Sequence, residues 1–181
     1  SYLLRPYPAA DDVRIRIEVS VPEGARFASG MRADGQGHAL TVGELRHSTY
    51  GVFGEMTSET ITLPGPLALD EELADRTAPS QAHLEVVTVP GTLGTSAEVR
   101  SRWIRDAANA IVEFWRGFPV SRACVVIIPT PGHRGVAHGK VVAIGGATVA
   151  IHLGAEAQRG DLYRDWILVH ELYHLGFPSF L

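Results

Sequence analysis

One cysteine in 181 residues leaves no partner for an internal disulfide. Cys124 sits inside a continuous apolar run, where a thiol reads as buried and inert rather than as a nucleophile. An excess of basic charge is also missing. Lys and Arg number 16 against 20 Asp and Glu, a formal net charge of −4, so the chain has no basic footprint for nucleic acid. Its most apolar region, Lys140 to Leu153, is broken by Gly145-Gly146 and His152, so no segment reads as a membrane span. Tyr2-Leu3-Leu4 is too short for the apolar core of a secretion signal, and with Ser1 in first place the compartment stays open. Internal repeats and low-complexity tracts are absent. What is present is a globular composition: 45% hydrophobic residues and a mean hydropathy of +0.06, in a length that fits one large domain or two small ones.

The pattern predicts an α+β chain in two parts. Residues 1–92 read as a β-rich N-terminal domain, a small β-sandwich or open sheet. Val13 to Val21 alternates apolar and polar residues as a half-solvated antiparallel strand does. Further strands are expected at Ala39–Leu45, Thr49–Met56, Thr60–Leu63 and His83–Val89, and one short helix at Asp70–Thr77. Residues 93–181 change character. Thr95 and Glu98 fit a capping box, and Val99, Trp103, Ala107, Ile111, Phe114 and Phe118 trace the apolar stripe of a helix stopped by Gly117 and Pro119. The arginines at 100, 102, 105 and 116 belong to its solvated face. Ala123–Ile128 reads as a buried strand. A loop carrying Gly132, Gly135 and Gly139 follows, with His133 and His138 exposed. Its Gly139-Lys140 fails as a phosphate-binding loop, because Arg134 stands where a glycine is needed and Val141 where a Ser or Thr is. Val141–Ile144 and Ala147–Leu153 then flank Gly145-Gly146, the dipeptide of a tight hairpin.

The chemistry is concentrated near the end, in His170-Glu171-Leu172-Tyr173-His174. This H-E-x-x-H motif is expected by chance only about 0.02 times in a chain of this composition. Gly160-Asp161 offers a turn and N-cap, Asp165 an acid in the first turn, and Leu162, Trp166, Val169 and Tyr173 a buried stripe. Gly176 and Pro178 supply the stop. Two histidines four apart share one helical face, so both imidazoles can reach a single zinc ion. Glu171, on the adjacent flank, is placed to act as general base on an attacking water and then to protonate the leaving amine. That combination serves metal-assisted hydrolysis, most often of peptides.

Two histidines do not complete a catalytic zinc site, which usually has three protein ligands. The metzincin pattern would require Gly at 177 and His at 180, where the chain has Phe177 and Phe180. His152, Glu156 and Asp161 lie upstream at spacings that recommend none of them.

Helix, strand, hairpin strand and H-E-x-x-H helix, in that order, resemble the first half of a thermolysin-like (gluzincin) α/β catalytic domain. With a β domain in front, and with Val169-His170-Glu171-Leu172-Tyr173-His174-Leu175 as the zinc helix, the chain is most similar to the glycyl aminopeptidase family. The resemblance implies His170 and His174 as zinc ligands and Glu171 as base. It also implies a glutamate ligand on a helix beyond Leu181, hence a chain cut short after the zinc helix, with weak zinc binding and little activity of its own. Apolar surface left where further helices would dock could then be covered by self-association. Aminopeptidases of this kind anchor the peptide amine with a Gly-x-Met-Glu-Asn segment. Gly145-Gly146-Ala147 occupies the comparable place without the Met, Glu or Asn, leaving its backbone to pair with a peptide substrate by strand addition. The expected function is a zinc-dependent, aminopeptidase-like peptidase. The alternative is a non-catalytic peptide- or protein-binding module on the same scaffold. A deformylase is excluded because Ala123-Cys124-Val125 lacks that family's cysteine motif.

Overall fold

A computed structural model describes residues 7–35, 37–47, 50–66 and 80–177. The short helix expected at Asp70–Thr77 lies outside the described residues. The framework is a five-stranded mixed sheet built from β6 (Thr57–Pro64), β7 (Gln81–Thr88), β8 (Arg122–Thr130), β9 (Val136–Val142) and β10 (Thr148–Gly154), in the order β6-β7-β8-β10-β9. The three inner strands run parallel, and β6 and β9 close the edges in antiparallel sense. Position 92 falls within this sheet: two of its strands precede that residue and three follow it.

Inner strands must be apolar on both faces, which explains the unbroken run in β8. Ala123, Val125 and Ile127 point to one side, with Leu84, Val149, Ile151 and Leu153, and meet the helices there. Cys124 and Val126 point to the other and meet Ala28 and Val52. Helix α2 (Ala97–Trp115), the crossover from β7 to β8, buries Trp103, Ile104, Ala107, Ala108 and Ile111. Two details differ from the sequence expectation. The N-cap is Ser96, whose Oγ accepts from the Val99 N–H at 3.4 Å, one residue later than Thr95. Phe114 lies off the buried stripe and is exposed.

Ahead of the large sheet, β1 (Arg14–Ile17), β4 (Gly37–Thr41) and β3 (Arg32–Asp34) form an antiparallel three-stranded sheet. β2 (Arg26–Ser29) and β5 (Gly51–Gly54) form a two-stranded ribbon, which covers the face of the large sheet away from the helices. The strand expected over Ala39–Leu45 stops at Thr41. There a capping box starts a one-turn helix, α1 (Val42–Leu45): Thr41 Oγ1 accepts from Glu44 N–H, and Glu44 Oε2 from Thr41 N–H at 2.7 Å.

The C-terminal helix is not continuous. α3 (Arg159–Leu162) ends, and α4 (Ile167–Tyr173) begins five residues later, running into a single 3-10 turn at His174–Gly176. Asp165 makes the break. Its Oδ1 accepts from Ile167 N–H at 2.8 Å and its Oδ2 from Val136 N–H at 3.0 Å, so one carboxylate both starts α4 and ties it to β9. The rotation that follows changes the buried stripe. Leu162, Leu168, Leu172 and Leu175 face the core, while Trp166 is 66% exposed and Val169 37%. Among the described residues no helix is long and apolar enough to cross a membrane.

Burial pushes the Cys124 thiol up to about 12 from its ordinary 9.0, with the nearby Glu85 carboxylate adding to the effect. The unfolded thiol ionises first, so this group's contribution to stability is intact below pH 9 and lost as the pH climbs from there toward 12. Iodoacetamide at pH 8 is expected to leave native Cys124 unmodified and to label it fully in denaturant; rapid labelling of the native protein would show the strand to be open. Ile151→Ala, at a fully buried position on β10, is expected to cost about 2–5 kcal/mol in urea unfolding.

Candidate metal centre

Burial of Leu168 and Leu172 on one side of α4 turns the opposite side outward, and His170, Glu171 and His174 are on it or beside it. Both imidazoles are exposed and Glu171 is half-buried. The two rings meet nearly perpendicular, with centroids 4.5 Å apart and their Nε2 atoms 3.0 Å apart. Two nitrogens held by one tetrahedral zinc at its usual bond length would stand roughly 3.3 Å apart. Zinc binding at the pair would need that small lengthening, loss of the Nε2 proton from the donor ring, and rotation of both lone pairs toward one point. Without an ion the same contact is an N–H···N bond between one donor and one acceptor tautomer. Trp166, one turn before His170, sets its ring edge-on against that imidazole at 4.7 Å and so restricts it from the other side.

Glu171 is positioned by a glycine that belongs to a strand and not to a loop. Gly139 lies on β9, opposite Ile151 of β10, and faces α4. A Cβ at that position would stand 2.5 Å from Ile167 Cγ2 and 2.8 Å from Glu171 Cγ. The missing side chain is what lets the helix come so close to the strand. Between the helix and the strand edge opens a groove of about 760 Å³, whose lining includes Glu171, His174, Phe177, Gly139, Lys140 and, from the N-terminal part, His47.

The remaining candidates go elsewhere. Gly145, Gly146 and Ala147 form the turn between β9 and β10, outside the groove lining. They lie against Gly30 and Met31: a Cβ on Gly146 would meet Met31 N at 2.7 Å, and Gly30 N–H donates to Thr148 Oγ1 at 3.0 Å. Asp161 accepts from Gln158 N–H, a capping contact, and His152 stands across from His138 on the paired strand. Neither joins the two histidines. Among the described residues no group of three or more His, Cys, Asp or Glu is placed to hold a metal ion. The donors present thus offer two positions of a zinc shell, and Glu171 follows His170 on the same helix. Gly139, Asp165, Trp166 and His47 were not singled out for the site from sequence. Only Gly139 left a signal, a glycine in the Val136–Val142 segment that pairs as a strand.

No family model and no curated protein matches the chain. Solved structures do. An aminopeptidase N family protein from Idiomarina loihiensis superposes with a TM-score of 0.58 at 13% identity, over 91% of this chain and 27% of its own. The likeness is one of fold. A two-domain M1 zinc metallopeptidase bound to L-arginine aligns over 90% of this chain and 33% of its own at 12% identity, with a TM-score of 0.39, too low to carry an argument. The chain thus spans about a quarter of the length of the first neighbour. It shares with that protein a mixed, sheet-dominated α+β architecture.

Gly139→Val is expected to push α4 off the sheet, costing about 1–3 kcal/mol in urea unfolding. Gly139→Ala should show a smaller loss of the same sign. Unchanged stability in both would mean that the helix and strand are not in close contact.

Proposed function

We propose that this chain carries the metal-binding helix of a zinc-dependent peptidase, with His170 and His174 as ligands and Glu171 as general base. The observation that carries the reading is the meeting of two imidazole Nε2 atoms, 3.0 Å apart on exposed residues, one of which, His174, lines an open groove together with Glu171. A zinc ion held there supplies Lewis-acid activation of a water and of the scissile carbonyl. Glu171 takes the proton from the attacking water on its carboxylate and passes it to the leaving nitrogen. Its half-burial against Gly139 and Ile167 keeps the side chain in one place for both transfers.

Peptide binding follows from the sheet. Among the described residues β9 is an edge strand bordering Glu171, so an extended peptide can add to its outer side. This assigns backbone pairing to β9 in place of the Gly145-Gly146-Ala147 turn, which the Gly30–Met31 segment walls off. Among the described residues a third ligand is not brought to the pair, and this favours one competing reading, a peptide-binding module that does no chemistry.

Zinc titration separates the two. Zinc affinity is expected to fall roughly tenfold or more in His170→Ala and in His174→Ala. Glu171→Gln is expected to retain zinc while peptide hydrolysis by the zinc-loaded protein drops about 100- to 10,000-fold. Equal zinc uptake by the double histidine variant would refute the ligand assignment. Peptide binding indifferent to a chelator, with no hydrolysis under any condition, would establish the binding module instead.

A further inference from the structure

Fifteen of the sixteen basic side chains are arginines, and the single lysine, Lys140, is on the strand that borders the candidate centre. It follows Gly139 directly and lines the same groove as Glu171 and His174. Its side chain is exposed, with Nζ 5.6 Å from the centre of the Tyr50 ring. No carboxylate pairs with it among the described residues, whose ion pairs all involve arginines. His47 lines the groove as well, and Glu171 is the one acid among the described lining residues. A hydrogen bond with Tyr50 holds the Lys140 ammonium above its ordinary range, so it is charged throughout neutral pH.

Strand geometry turns this placement into a rule of selection. Successive side chains of a strand point to opposite faces, and a peptide added to β9 must share that alternation. The peptide residue level with Gly139 presents its side chain toward α4, where Glu171 and the histidines lie. The residue level with Lys140 presents its side chain to the other face, where the ammonium and Tyr50 are. An ammonium is a compact point charge. It repels a basic side chain or a free amine brought to that position and attracts a carboxylate.

We propose that Lys140 is a specificity-determining residue that selects peptides bearing an acidic side chain one position from the bond presented to Glu171. The proposal takes the position of the peptide from the peptidase reading, but binding itself requires no turnover.

The test uses acetylated, amidated pentapeptides Ala-Ala-Asp-Ala-Ala and Ala-Ala-Asn-Ala-Ala, titrated calorimetrically into zinc-loaded protein carrying Glu171→Gln. The Asp peptide is expected to bind roughly fivefold more tightly at low ionic strength, with the margin shrinking as salt is added. Lys140→Met should abolish the preference and Lys140→Arg should keep it. Equal affinities, no binding of either peptide, or a preference that survives Lys140→Met overturns the proposal. Hydrolysis by the protein with Glu171 intact is followed in parallel. Selective binding without any zinc-dependent cleavage removes the peptidase reading and leaves the role of Lys140 standing.

Discussion

The close approach of α4 to β9 at Gly139 is the constraint on which the rest of the site depends. A seven-residue helix is far too short to be stable alone in water. What holds it is tertiary: Leu168 and Leu172 buried on the sheet, each worth about 1.5–3 kcal/mol, and the Asp165 carboxylate bonded to both the helix start and β9. Those contacts fix the helix in rotation as well as in position. A turn of one residue would carry Glu171 and His174 away from the groove, and a side chain at 139 would press on Ile167 and Glu171.

The sheet supplies the complementary half. Its parallel inner strands are buried on both faces, by α2 and α4 on one and by the β2–β5 ribbon on the other, and this leaves β9 as a rigid edge. The β9–β10 turn is wedged from the far side by Gly30 and Met31, where glycines at 30 and 146 permit backbone to meet backbone. The groove therefore has one wall made of helix and one made of strand, and among the described residues β9 is an edge of its sheet. His47, in the turn after α1, reaches it from the N-terminal part of the chain.

Much of this was legible in the sequence where a local rule and the tertiary environment agree. The apolar run at Ala123–Ile128, the long helix before Gly117, which ends at Trp115 with a left-handed Arg116, and the His170–His174 spacing each allow one structural answer. The C-terminal helix allowed two. Leu162, Trp166, Val169 and Tyr173 keep helical spacing, and so do Leu168, Leu172 and Leu175; periodicity cannot say which set faces inward. The Asp165 bond to Val136, a contact across the fold, decides it. The same blindness shifted β9, expected at Val141–Ile144 and found at Val136–Val142, since three nearby glycines suggest a loop although Gly139 is a strand residue whose missing side chain admits a helix. Nor does periodicity show that the strands expected at Thr60–Leu63 and His83–Val89 share a sheet with β8, beyond residue 92. Strand partners are chosen by burial and register over long separations, which alternation along one strand does not encode.

The most direct measurement of the central claim is imidazole-nitrogen NMR of the protein through a zinc titration. The account predicts that the Nε2 signals of His170 and His174 move together, saturate at one equivalent of zinc, and do so unchanged in Glu171→Gln, which keeps both ligands. A response from one ring only, from neither ring, or from His47 or His138 in their place would contradict it.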